Sequence, residues 1–178
     1  MPVDLAASVA ILQNDRIVLI KREDFAVWGL PSGQVEAGET VAQAAFREAR
    51  EETGLEVQIT HLVGLYSLPR WVGGGNHTVL FAAVPVAGRL QTHCEEVVDS
   101  GYFALHALPS PLIWWHRQRI ADAFSGQCGV VRTQHVRWPF APRLTRAQLY
   151  ELRDRSGLSR QCFYERYFGT DPAEGDIA

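Results

Sequence analysis

Gly33-Gln34-Val35-Glu36-Ala37-Gly38-Glu39-Thr40-Val41-Ala42-Gln43-Ala44-Ala45-Phe46-Arg47-Glu48-Ala49-Arg50-Glu51-Glu52-Thr53-Gly54-Leu55 is the stretch from which the rest of the chain can be read. Thr40 and Gln43 make a capping box, each side chain satisfying an orphan amide, and Gly54 is a natural stop. Together they predict a helix over residues 41–53. At about 100° per residue, Ala42, Ala45, Phe46, Ala49 and Thr53 form one stripe, which is expected to face a sheet. Glu48, Glu51 and Glu52 stand at i, i+3 and i+4 on a neighbouring arc, at the edge of the packed face. Like charges so placed repel by roughly a few tenths of a kcal/mol per pair. The helix dipole disfavours anions in the last turn by a similar amount. Either this is a solvated acidic helix end or something positive fills it. Hard divalent cations such as Mg²⁺ or Mn²⁺ favour such oxygen donors.

Working outward, the runs Leu5 to Leu12 and Arg16 to Arg22 are apolar and rich in β-branched residues. Gln13-Asn14-Asp15 parts them, which predicts a hairpin. Trp28-Gly29-Leu30-Pro31-Ser32-Gly33 is expected to break regular structure. Downstream, strands are predicted at 55–68, 77–86 and 101–104, and a helix over about 111–125. Residues 126–129 read as a joint, 130–137 as a strand and 145–155 as a helix. From about residue 170 the chain is small, acidic and expected to fray. This alternation predicts an α/β sandwich built on a mixed sheet. A chain of 178 residues suits one domain with an appended piece, divided here at 1–126 and 127–178.

A net charge of −3 excludes a global attraction to nucleic-acid polymers or anionic membranes. Any polyphosphate ligand must therefore meet a local cation. Cys94, Cys128 and Cys162 are odd in number and widely spaced, which excludes a disulfide framework or a CxxC pair. Buried or inert thiols in a reducing compartment are expected. No basic leader precedes Asp4 and no apolar run reaches about 18 residues, so a cytoplasmic location is expected.

The opening stretch resembles the Nudix box, G-x5-E-x7-R-E-U-x-E-E-x-G-U, where U is aliphatic. Gly33, Glu39, Arg47, Glu48, Glu51, Glu52 and Gly54 match all the fixed positions. Accidental matches in a chain this long are expected on the order of one in a million or less. Softer similarity runs over about residues 5–125, through Trp28-Gly29-Leu30-Pro31 and Gly101-Tyr102-Phe103. Ala49 is small for its position, and Ser32 stands where many relatives have Gly; neither change removes a ligand.

The resemblance implies an α-β-α sandwich around a mixed sheet over 1–126, with 127–178 packed on it or placed at a homodimer interface. It implies that Glu48, Glu51, Glu52 and the Gly33 carbonyl bind Mg²⁺ or Mn²⁺, while Glu39 and Arg47 pair to hold loop and helix. The chemistry implied is attack on phosphorus by a metal-activated water, in a nucleotide-type small molecule. The general base is left open among Glu52, Glu95 and Glu96. Arg22 is a candidate phosphate-binding cation, and Trp28 and Tyr66 are candidates to stack on a base, as is Trp71. Pro69 looks like a feature of ADP-ribose-type members. The leading expectation is hydrolysis of a nucleoside diphosphate derivative such as ADP-ribose or a nucleotide sugar. Alternatives are a nucleoside-triphosphate pyrophosphohydrolase and a non-catalytic nucleotide sensor on the same fold. Eight Arg residues against six acidic ones make 127–178 mildly basic, too little to expect a nucleic-acid polymer.

Overall fold

The computed structural model describes residues 4–71, 75–136, 138–140 and 144–169. β1 (Asp4–Gln13) and β2 (Arg16–Arg22) form the predicted hairpin. Asn14 and Asp15 turn it with φ of 51° and 57°, a left-handed conformation that these two residue types tolerate. The segment predicted to be irregular is so only at Leu30 and Pro31. Trp28–Gly29 (β3) pairs with β2, and Ser32–Gln34 (β4) pairs with β1. Then come α1 (Val41–Thr53), β5 (Leu55–Leu68), β6 (Asn76–Gly88), β7 (Val97–Phe103), α2 (His116–Phe124), β8 (Val130–Thr133), α3 (Arg146–Arg155) and α4 (Arg160–Phe168).

The strands join in the order β3-β2-β1-β6-β5-β8, with β4 added to β1 and β7 to β2. The β1–β6 and β5–β8 pairs are parallel and the others antiparallel, so the sheet is mixed. Neighbouring residues of β1 point to opposite faces. Val9 and Ile11 cluster with Ala49 of α1, while Ala10 clusters with Ile120 and Ala123 of α2. The two helices therefore cover opposite faces, and the α-β-α layering is as expected.

The structure departs from the sequence reading in the packed face of α1 and in the bounds of β6, β7, α2 and β8. The buried side of α1 is Ala44, Ala45, Glu48, Ala49, Glu52 and Thr53, and Phe46 is 43% exposed. Ala44 and Ala45 pack on Ala7, and such small residues let the helix sit close while turning toward its glutamates. α2 starts at His116 because Leu112 bridges to Trp28 and Ile113 N–H donates to the Trp28 carbonyl, taking both out of the helix. β8 ends at Thr133; Arg137 lies outside the described residues, as does the tail from 170.

Beyond residue 126, β8 extends the sheet beside β5. Gly64 permits this approach, since a Cβ there would collide with the Val130 backbone. The apolar string Phe163, Tyr164, Tyr167, Phe168 forms α4, and α3 and α4 share a cluster with Val27, Leu68, Ile113 and Trp115. All three cysteines are free; Cys128 and Cys162 are exposed rather than buried, and Cys94 is half-buried. No helix among the described residues is long and apolar enough to cross a membrane.

Candidate active site

The last turns of α1, the β4 strand and the turn before β7 enclose an acidic cleft of about 960 Å³. Glu48 and Glu52 are 8% and 5% exposed, whereas Glu51 opens to solvent. Glu52 accepts the Ser32 N–H at 2.8 Å. Burial pushes its carboxyl up to about 8, with Arg22 opposing and Glu48 adding to the rise. Burial likewise raises Glu48, against the pull of Arg47. A Cβ at Gly33 would fall on the Glu48 carboxylate, so any side chain there must push that carboxylate aside.

Arg47 organises the opposite wall. It donates to Glu39 at 3.0 and 3.1 Å and to the Gln34 carbonyl at 2.9 Å, tying the loop to the helix. It also bonds Glu48 at 2.6 Å and Glu51 at 3.2 Å. The carboxylates are thus partly neutralised by a guanidinium, which the sequence reading did not anticipate. Among the described residues no three acidic, His or Cys side chains already converge as a ligand set. The donors nevertheless fit a hard divalent cation. Burial raises the proton affinity of both Glu48 and Glu52 even against Arg47 and Arg22, so added positive charge is favoured there, and the Gly33 backbone adjoins Glu48.

Beside the cleft lies a cavity of about 470 Å³ with Arg22, Ser32, Gly33, Gln34 and Arg146 in both linings. Its other walls carry aromatic rings from the Phe25 loop, α3, α4, Trp71 and Trp115, with Asp4 and Asp24 among the polar groups. Arg22 reaches this junction but is already held by Asp24, at 3.0 and 2.6 Å. Tyr150 donates to the same carboxylate at 3.0 Å, across 126 positions of sequence, and accepts from Arg146 at 2.6 Å. Trp28 and Tyr66 are not where a stacking role needs them. Trp28 packs edge-on against Phe103, and Tyr66 is fully buried with its hydroxyl on Asp122 at 2.8 Å. Their rings fill the core because their strands point those positions inward. The aromatic faces that do line the cavity include Phe25, Trp71 and Trp115. Pro69 sits in the turn after β5.

A family model described as NUDIX domain matches residues 2–124. The chain belongs to the Nudix family. The ADP-ribose pyrophosphatase of Methanocaldococcus jannaschii is 35% identical over 122 residues, 66% of this chain and 71% of that protein. An 8-oxo-dGDP phosphatase of Homo sapiens is 34% identical over 112 residues, 59% of this chain but 33% of its own length. The crystal structure of an ADP-ribose pyrophosphatase from Streptococcus suis matches with a TM-score of 0.63 at 26% identity, covering 75% of this chain and 100% of that one. This protein is accordingly a hydrolase of Nudix type.

Of the two loop carboxylates considered beside the Nudix box, Glu96 is the one whose charge acts on both Glu48 and Glu52. Glu95 also lines the cleft. His116 was missed, because a lone histidine at a helix start has no sequence signature. Its Nδ1 accepts the Leu30 N–H at 3.0 Å, and burial holds its pKa well below the ordinary value, so it is neutral. It thereby fixes the loop that presents Ser32 and Gly33 to the Nudix helix.

Proposed function

We propose that this Nudix hydrolase cleaves the pyrophosphate linkage of a nucleoside diphosphate derivative, of the ADP-ribose or nucleotide-sugar kind, with Mg²⁺ or Mn²⁺. One observation carries the reading: an acidic cleft and an aromatic cavity meet at Arg22, Ser32, Gly33 and Arg146. A molecule with a charged middle and a flat organic end fits across that junction. The names of two relatives that mention ADP-ribose support the same choice.

Glu48, Glu51, Glu52 and the Gly33 carbonyl would hold the cation, which supplies charge neutralisation at phosphorus and a more acidic water. Arg47 and Glu39 keep the box in register. Arg22 and Arg146 stand where the diphosphate oxygens pass. Ser32 N–H orients Glu52 by donating to it. Glu96 is the favoured proton acceptor, since it is solvent-reachable and its field reaches both buried glutamates.

A substrate panel with Mg²⁺ or Mn²⁺, with products identified, tests this. AMP released from ADP-ribose, or a nucleoside monophosphate from a nucleotide sugar, is the expected result. Inorganic pyrophosphate released from nucleoside triphosphates, with no cleavage of the diphosphate derivatives, would replace it with a triphosphate pyrophosphohydrolase.

A further inference from the structure

Arg119 stands in the wall of the cavity and is 3% exposed. Burying a guanidinium is costly unless an anion takes up its charge. Its Nε donates to Gln134 Oε1 at 3.0 Å, and its Cζ lies 5.2 Å from the centre of the Tyr66 ring. Both partners are neutral. Among the described residues no carboxylate pairs with Arg119, and no acceptor takes the protons of Nη1 or Nη2. Two arginines near it are matched: Arg22 with Asp24 and Arg132 with Asp122.

Arg22 and His116 line the same cavity, and His116 is held neutral by burial and by the fields of Arg119 and Arg22. Desolvation brings the Arg119 guanidinium down to about 9. Arg22 and Arg146 line both cleft and cavity, whereas Arg119 lines the cavity alone. A diphosphate at the junction therefore meets the first two, and Arg119 is left for whatever lies further in. A planar fork with free Nη donors matches a phosphate or carboxylate. A neutral carbonyl would leave the charge uncompensated.

We propose that Arg119 binds an anionic group, a phosphate or a carboxylate, carried by the moiety in the cavity, so that the preferred substrate bears a negative substituent beyond its scissile diphosphate. This rests on the reading that the cavity holds one end of the cleaved molecule, and the test separates the two ideas. Two probe pairs differ chiefly by one anionic group: ADP-ribose against ADP-ribose 2′-phosphate, and UDP-glucose against UDP-glucuronate. With Mg²⁺, kcat/KM is expected to be higher by about tenfold or more for the charged member of at least one pair. The pair that responds tells phosphate from carboxylate.

Arg119→Met should erase that ratio and leave the uncharged member within about threefold of native. Its Tm should be no lower than native, because an unpaired buried charge has gone. Arg119→Lys keeps the charge without the fork and should cut the ratio by about threefold or more, which covers the case in which the Met variant does not fold. Calorimetry on the Glu52→Gln protein with Mg²⁺ should show the same preference in binding. A ratio near or below one in both pairs, or one unchanged by both substitutions, overturns the anion site. So does an equal loss on both members of a pair with a lowered Tm, which marks a packing role alone. Cleavage of all probes without preference overturns this inference and leaves the proposed function standing. Preferential binding without cleavage does the reverse, and neither binding nor cleavage overturns both.

Discussion

The acidic end of α1 and the cavity beneath α3 and α4 share a wall, yet they are assembled in opposite ways. The cleft draws Gly33, Arg47, Glu48, Glu51 and Glu52 from one short run, where helix periodicity brings the three glutamates together, and adds Glu95 and Glu96 from the turn before β7. The cavity draws Phe25, Trp71, Trp115, Arg119, Tyr150 and Phe168 from segments scattered over most of the chain. Chemistry common to a family can be stored locally, where a few spaced residues suffice. The cavity depends on tertiary packing, and α3 and α4, which complete its wall, lie outside the family match at 2–124.

If the two regions are separable in this way, changes in the cleft should act on turnover and changes in the cavity on apparent affinity. The largest effect is expected from Glu52→Gln, which should lower kcat by about a hundredfold or more without lowering Tm. Near-normal turnover would show that the buried glutamate is not part of the machinery. Gly33→Ala comes next. Its new methyl must displace the Glu48 carboxylate, so activity should fall by about tenfold, with a higher Mg²⁺ concentration needed for half-maximal rate. An unchanged metal requirement would mean that Glu48 is free to move aside.

On the cavity side, Tyr150→Phe removes the bond to Asp24 and should raise KM about three- to tenfold while kcat stays near native. A fall in kcat instead would mean that the roof couples to the chemistry. The smallest effect is in stability. In metal-free protein Glu52 keeps its proton up to about pH 8, while the unfolded chain releases it near 4.5. The folded state binds more protons across that window, so its stability falls as pH rises through it. The Tm of native protein relative to Glu52→Gln should drop by about a few degrees from pH 5 to pH 8, and Mg²⁺ should remove the drop. A flat difference would show that the carboxylate is already ionised at neutral pH.

The same contrast explains what could be read from residue order. The 41–53 helix was legible to its last residue because Thr40, Gln43 and Gly54 are local signals. Its orientation was not, since Phe46 is the largest apolar residue of the stripe yet faces solvent. Arg22 was found through its place at a strand end, but its Asp24 clamp was not foreseen. Trp28 and Tyr66 were misassigned because an aromatic side chain reads alike whether it fills a core or a binding wall. Arg119 and His116 left no trace: each is one polar residue in an ordinary helix, and its meaning comes from the side chains that surround it.

The bond between Tyr150 and Asp24 also has a bearing on the order of synthesis. A ribosome delivers the glutamates of α1 about a hundred residues before the aromatic roof, and domains tend to fold from the N-terminal side as they emerge. On the proposed function, the growing chain therefore carries the residues that would hold an ion well before it carries the full wall that would select a substrate.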